Sequence, residues 1–150
     1  MAAGAVGRPR LTGPARVHER TIALAHTIGK RFTFSASHQL PGLPEGHKCG
    51  RLHGHNYRIE VVIGASGLAD PGFVTDFGDL APLKTYLDAT FDHRDLNEAL
   101  DVPPTSENLA AHVAAWFVAN LEPRIAGRLV SVRVSETAST WAQYTPERPS

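Results

Sequence analysis

The chain has 150 residues, 42% of them apolar, and 15 basic side chains balance 15 acidic ones. That fits one domain with a real core, and it excludes the global positive field expected of a nucleic-acid binder. No apolar run approaches the ~18 residues that span a membrane, and the single cysteine excludes an intrachain disulfide framework, so a cytoplasmic enzyme is the expectation.

Residues 1–25 are rich in Ala, Gly, Pro and Arg without any period, and they read as a disordered extension. A transit peptide is the weaker reading, because the stretch MAAGAVGRPRLTGPARVHER lacks Ser. One domain is expected over residues 26–150. Phe32, Phe34, Ala36 and His38 alternate with polar residues, which predicts a strand over 31–38. Pro41, Gly42, Pro44 and Gly46 then impose a loop. His53, His55, Tyr57, Ile59, Val61 and Ile63 share one face of a second strand, over 53–63. Leu80, Leu83 and Leu87 make the stripe of a helix over 79–89, with Asp79 as its N-cap. The polar segment FDHRDLN reads as a loop. A second helix runs from Ser106 to Leu121 behind a Thr105 or Ser106 cap, with Leu109, Val113, Trp116 and Phe117 inward. Val130, Val132, Val134 and Glu136 define one face of a strand over 128–136, and residues 140–144 return as a hairpin partner. The order ββααββ predicts an α+β layer fold, a four-stranded antiparallel sheet with two helices on one face.

The chemistry concentrates in GHKCGRLHGHN, residues 46–56, with three of the eight histidines and the only cysteine. Side chains two apart on a strand point the same way. His53 and His55 can therefore share a metal ion, and His38, ending its own strand, is the natural third ligand. Three neutral imidazoles suit Zn²⁺ and leave a position open, as in catalytic rather than structural sites. Cys49 is a candidate thiolate nucleophile or acid–base group. It is equally placed to be a fourth ligand closing a structural site. Asp92 and His93 form an acid–imidazole pair that could complete a proton relay. Glu136 either faces water beyond the strand or meets a ligand with paired N–H donors, such as the guanidine-like edge of a pterin or guanine ring. Lys48 and Arg51 are candidate phosphate contacts or simply a solvated basic loop.

FSASH, CGRLHGHNY, the DF at 76–77, FDHRDLN, PTSEN at 104–108 and SET at 135–137 occur in order over roughly residues 30–145. This pattern resembles the 6-pyruvoyl-tetrahydropterin synthase / 6-carboxytetrahydropterin synthase family. The resemblance implies a tunnelling fold (T-fold) and a homo-oligomer, usually a hexamer of two trimers, with active sites at subunit interfaces and a pterin triphosphate as small-molecule substrate. It implies His38, His53 and His55 as zinc ligands, Cys49 as catalytic cysteine, Asp92 and His93 as its relay partners, Glu136 as pterin anchor, and Thr105 and Ser106 as further pterin contacts. Cys49-x3-His53-Gly54-His55 is similar to the 6-carboxytetrahydropterin synthases of queuosine and 7-deazapurine biosynthesis, lyases that release acetaldehyde. The pyruvoyl-forming branch looks like Cys-x5-His-Gly-His. Arg94 after His93 departs from the family pattern. The competing readings are pyruvoyl chemistry on the same site, and a zinc-holding module without turnover.

Overall fold

A computed structural model describes residues 23–149. Alternation of apolar and polar residues forms the two longest strands, β1 (His26–His38) and β2 (His53–Ala65). They pair antiparallel along their whole length, from His26 opposite Ala65 to His38 opposite His53. β1 begins at His26 rather than at the expected Arg31. The early residues carry little apolar pattern, but their backbone groups find ladder partners, Lys30 opposite Val61 among them. The extension expected over residues 1–25 falls, as far as residue 22, outside the described residues. Ala25 donates its N–H to Ala65 O at 3.0 Å.

Two further antiparallel strands complete the expected four, β4 (Arg128–Ser135) against β2 and β5 (Ala142–Tyr144) against β4. The segment expected to be a plain polar loop holds more. It contains a two-residue strand, β3 (Arg94–Asp95), and a short helix, α2 (Leu96–Ala99). β3 runs parallel to the end of β1, pairing at Ala36 and Ser37. The Asp95 carboxylate caps α2 by accepting from Asn97 N at 2.9 Å. Among the described residues the sheet therefore has five strands, ordered β3-β1-β2-β4-β5. No apolar periodicity marked the extra strand, because its pairing uses only backbone groups on the open edge of β1.

The two expected helices are α1 (Ala81–Thr90) and α3 (Ser106–Asn120). Asp79 does not cap the first. Asp76 accepts from Gly78 N at 2.7 Å and opens a 3₁₀ turn, Phe77–Leu80, that runs into α1. Thr105 caps α3 by accepting from Asn108 N at 3.2 Å. Leu80, Leu83 and Leu87 are fully buried, as the stripe predicted, and they meet Leu109, Val113 and Phe117 of α3 in one core. Trp116 lies at the rim, stacked on Tyr86 at 4.2 Å between centroids.

Both helices cover the face of the sheet that carries Phe34, Ala36, Tyr57, Ile59 and Val134. One expected core position changes. The β2–β4 register shifts between Val62 and Ile63, so Ile63 pairs with Leu129 and Val130 is the extra residue of a bulge. Leu129 takes the buried place expected for Val130. Among the described residues no helix is long and apolar enough to cross a membrane.

The C-terminal segment is tied back by a fork. Arg148 donates from both terminal nitrogens to the Glu122 carboxylate, each at 2.7 Å, and Leu129 N donates to Glu122 Oε2 at 2.7 Å. Burial pushes the Glu122 carboxyl up, but these hydrogen bonds and the nearby arginine charges outweigh it and hold it below its usual value. A depressed carboxyl contributes stability above its unfolded pKa and loses it as pH falls through the folded one. Glu122→Gln is therefore expected to destabilise the protein by about 1–3 kcal/mol at neutral pH. In acid denaturant titrations the gap from the parent should close as pH falls below the ordinary glutamate range.

Candidate functional site

The antiparallel register puts His38 directly opposite His53, at the end of the ladder where the strands' inward faces emerge from the core. His55 follows two residues along the same face. The coordinating atoms of these three side chains lie within 4.8 Å of one another. His38 is 1% exposed, and His53 and His55 are partly buried.

The hydrogen bonds fix which nitrogens are free. His38 Nδ1 donates to Pro104 O at 2.7 Å, and His53 Nδ1 donates to Arg51 O at 2.6 Å. With those protons committed, the neutral rings turn their Nε2 lone pairs toward each other, 3.0 Å apart. Two lone pairs at that distance repel unless a cation or a proton lies between them. His55 Nε2 is buried and has no hydrogen-bond partner. Burial holds the His55 pKa below its ordinary value, and the neighbouring His38 and His53 add to that against the opposing pull of Glu136. Three imidazoles with nitrogens converging, two of them held from behind by backbone carbonyls, are a donor set that can hold a metal ion.

Glu136 stands one residue past the end of β4, its Oε2 3.9 Å from His55 Nε2. It lines a hollow of about 220 Å³ together with Thr105, Ser106, Glu107, Leu40 and Thr140. The structure thus brings Glu136, Thr105 and Ser106 together beside the histidines. The Thr105 hydroxyl is already engaged as the cap of α3.

Cys49 sits apart from the three histidines. It is half-buried in a 3₁₀ turn, Lys48–Gly50, opened by His47, whose Nδ1 accepts from Cys49 N at 3.1 Å. The turn is tied to the end of β1, since Leu40 N donates to Cys49 O at 3.0 Å and the Gln39 amide donates to Gly50 O at 2.8 Å. Among the described residues the metal-competent group is the three histidines without Cys49. The Lys48 and Arg51 side chains are exposed on the same loop.

Asp92 and His93 form a built pair. The Asp92 carboxylate accepts from Ser35 N at 3.0 Å and lies 2.9 Å from His93 Nδ1. Those two contacts, the Ser35 N–H first, hold the Asp92 carboxyl below its usual value. His93 takes a left-handed φ of 56° and donates its N–H to Ser35 O at 2.6 Å. Its side chain lines a hollow of about 480 Å³ with Ser35, Ser37, Asn56, Arg94 and Asp95. Ser35 and Asn56 alternate with Phe34 and Tyr57, so this hollow opens on the sheet face away from the helices. The histidine triad lies on the other face. His55 nonetheless borders this hollow too, although among the described residues no hydrogen bond or ion pair links Asp92 and His93 to the triad.

Sequence reasoning missed three contributors. The carbonyls of Pro104 and Arg51 carry no side-chain signal. Tyr57 was visible on the histidine face but read as part of an apolar stripe.

A sheet closed on one side by helices carries, at one end of its inward face, a carboxylate and three histidines that could hold a metal ion. The sequence profile described as 6-pyruvoyl tetrahydropterin synthase matches residues 27–147, and the chain belongs to this family of pterin synthases. It is 41% identical over 126 residues to the 6-carboxy-5,6,7,8-tetrahydropterin synthase of Synechocystis sp., covering 78% of this chain and 91% of that one. It is 28% identical over 132 residues to the 6-pyruvoyl tetrahydrobiopterin synthase of Drosophila melanogaster, covering 78% and 77%. The structure of Caenorhabditis elegans 6-pyruvoyl tetrahydropterin synthase superposes with a TM-score of 0.71 at 26% identity, covering 81% of this chain and 96% of that one. The T-fold expected from the motifs is thus the fold observed.

A divalent ion bound only by the native triad stabilises by mass action, about 2.7 kcal/mol at a hundredfold excess over Kd. Zinc is expected to raise the Tm of chelator-stripped protein by several degrees. His55→Ala should abolish that rise and Cys49→Ala should preserve it, as read by thermal scanning with metal analysis.

Proposed function

We propose that the chain is a zinc-dependent 6-carboxy-5,6,7,8-tetrahydropterin synthase. It takes 7,8-dihydroneopterin triphosphate and water to 6-carboxy-5,6,7,8-tetrahydropterin, acetaldehyde and triphosphate, and so acts as a carbon–carbon lyase of 7-deazapurine or queuosine biosynthesis. The carrying observation is the convergence of three lone-pair imidazoles beside a carboxylate that lines a hollow sized for a small ring. The Synechocystis relative and the Cys49-x3-His53-Gly54-His55 spacing support the carboxy branch over the pyruvoyl one.

Glu136 accepts the paired N–H donors of the pterin ring and fixes its orientation, with Thr105 and Ser106 at the wall of the hollow. His38, His53 and His55 hold the ion at the side-chain end. Zinc, when bound there, supplies a Lewis acid that lowers the pKa of the substrate's side-chain hydroxyls. Cys49 accepts and returns protons during side-chain isomerisation and cleavage, and His93, oriented by Asp92, exchanges protons on the opposite side.

Asp92 and His93 open on the far face of the sheet, where only His55 of the triad reaches their hollow, and we read the complete site as one shared with a second copy. This favours the interface arrangement that the family resemblance implies, a homohexamer of two trimers. Lys48 and Arg51, beside Cys49, are placed to meet the triphosphate.

Zinc-loaded protein incubated with 7,8-dihydroneopterin triphosphate is expected to release acetaldehyde and the carboxy product, read by chromatography. A pyruvoyl product would overturn the branch and keep the site. Cys49→Ala should lower kcat about 10²–10⁴-fold while retaining the metal. Co-refolding Cys49→Ala with His93→Ala chains should restore partial activity that neither has alone; no restoration would place both groups in one chain's site.

A further inference from the structure

Among the described residues two buried side-chain polar atoms stand without hydrogen-bond partners, His55 Nε2 and the Tyr57 hydroxyl. The first faces the other ligand nitrogens. The second has no place in the metal site or the relay. Tyr57 is 0% exposed. Its ring is held from three sides, stacked on Phe34 at 5.2 Å and edge-on to His55 at 5.6 Å and His38 at 6.0 Å between centroids. The hydroxyl therefore cannot swing out to find water.

Its neighbour across the sheet is Glu136. Arg58 pairs with Ser135 at the end of the β2–β4 ladder, so the next residue on each strand, Tyr57 and Glu136, lie opposite one another. A tyrosine hydroxyl is a hydrogen-bond donor, and Glu136 is the carboxylate nearest to it along the ladder. Among the described residues Glu136 accepts no hydrogen bond, lies beyond the last residue of β4 and is 25% exposed. A rigid donor without an acceptor thus lies beside a partly exposed acceptor without a donor.

We propose that Tyr57 is a positioning residue for Glu136: when a ring with paired N–H donors enters the hollow, the Tyr57 hydroxyl donates to the Glu136 carboxylate from behind and fixes it in the orientation that holds the ring. This rests on Glu136 being the pterin anchor. A carboxylate has about four lone-pair sites. Two take the ring's N–H groups and one takes the tyrosine O–H, so the contacts do not compete. In the free protein the unpaired buried hydroxyl is a cost to stability, offset only when ligand is bound.

That cost gives the inference a signature opposite to that of a structural tyrosine. Tyr57→Phe removes one oxygen and keeps the ring. The ligand-free, metal-loaded variant is expected to melt at the parent's Tm or above it, with unchanged zinc content. Its Kd for 7,8-dihydroneopterin, measured by calorimetry, should rise about tenfold, the worth of one hydrogen bond to a charged group. KM should rise by a similar factor while kcat holds. A Tm several degrees lower would overturn the proposal by making Tyr57 a satisfied structural residue, and an unchanged Kd and KM would overturn it outright. Glu136→Ala is the companion. If it abolishes binding while Tyr57→Phe binds like the parent, Tyr57 alone is excluded. If the parent itself does not bind the pterin, the anchor reading falls and takes this inference with it.

Discussion

The register between β1 and β2 is the constraint on which the site depends. Its antiparallel ladder sets His38 opposite His53 at one end and His26 opposite Ala65 at the other. Side chains alternate faces with a period of two, so a slip of one residue would send His53 and His55 to the face opposite His38. What prevents the slip is the core. Phe32, Phe34 and Ala36 on one strand and Tyr57, Ile59, Val61 and Ile63 on the other all bury on the same face. The metal-competent triad is the continuation of a hydrophobic stripe to the point where it runs out of helix to pack against.

The triad is poised electrostatically by groups that contribute no side chain. Pro104 O and Arg51 O take the Nδ1 protons of His38 and His53. Each carbonyl comes from a loop held in place by other means: the segment before α3 by the Thr105 cap, and the cysteine loop by Leu40 N and the Gln39 amide. The result is three nitrogens with lone pairs converging in a partly buried space, an arrangement unfavourable when empty and favourable around a cation. The unpaired Tyr57 hydroxyl has the same character. Strain of this kind persists because the surrounding core fixes it.

The two faces of the sheet carry different chemistry. The inward face ends in histidines and Glu136. The outward face carries the His93 hollow, hung from the edge of β1 by Asp92 and Ser35. Both sets of groups sit on paired backbone, and of the triad only His55 borders the outward hollow.

Much of this was legible in the residues alone. The period-two stripes of β1, β2 and β4 and the leucine spacing of α1 report burial directly, so the α+β layer order and the three histidines followed from pattern. The shared face of His53, His55 and Glu136's strand end followed from the same alternation. Other features had no local signal. β3 forms and α2 begins in FDHRDLN because a strand edge and an Asp95 cap are available there, and a bulge in the β2–β4 ladder puts Leu129 rather than Val130 opposite Ile63. Which nitrogens of His38 and His53 are free, and that the buried Tyr57 hydroxyl has no partner, depend on residues distant in sequence meeting at fixed distances. Sequence determines which side chains share a face. Only the folded backbone decides which carbonyls and hydroxyls stand behind them, because those contacts form across loops whose paths the alternation does not encode.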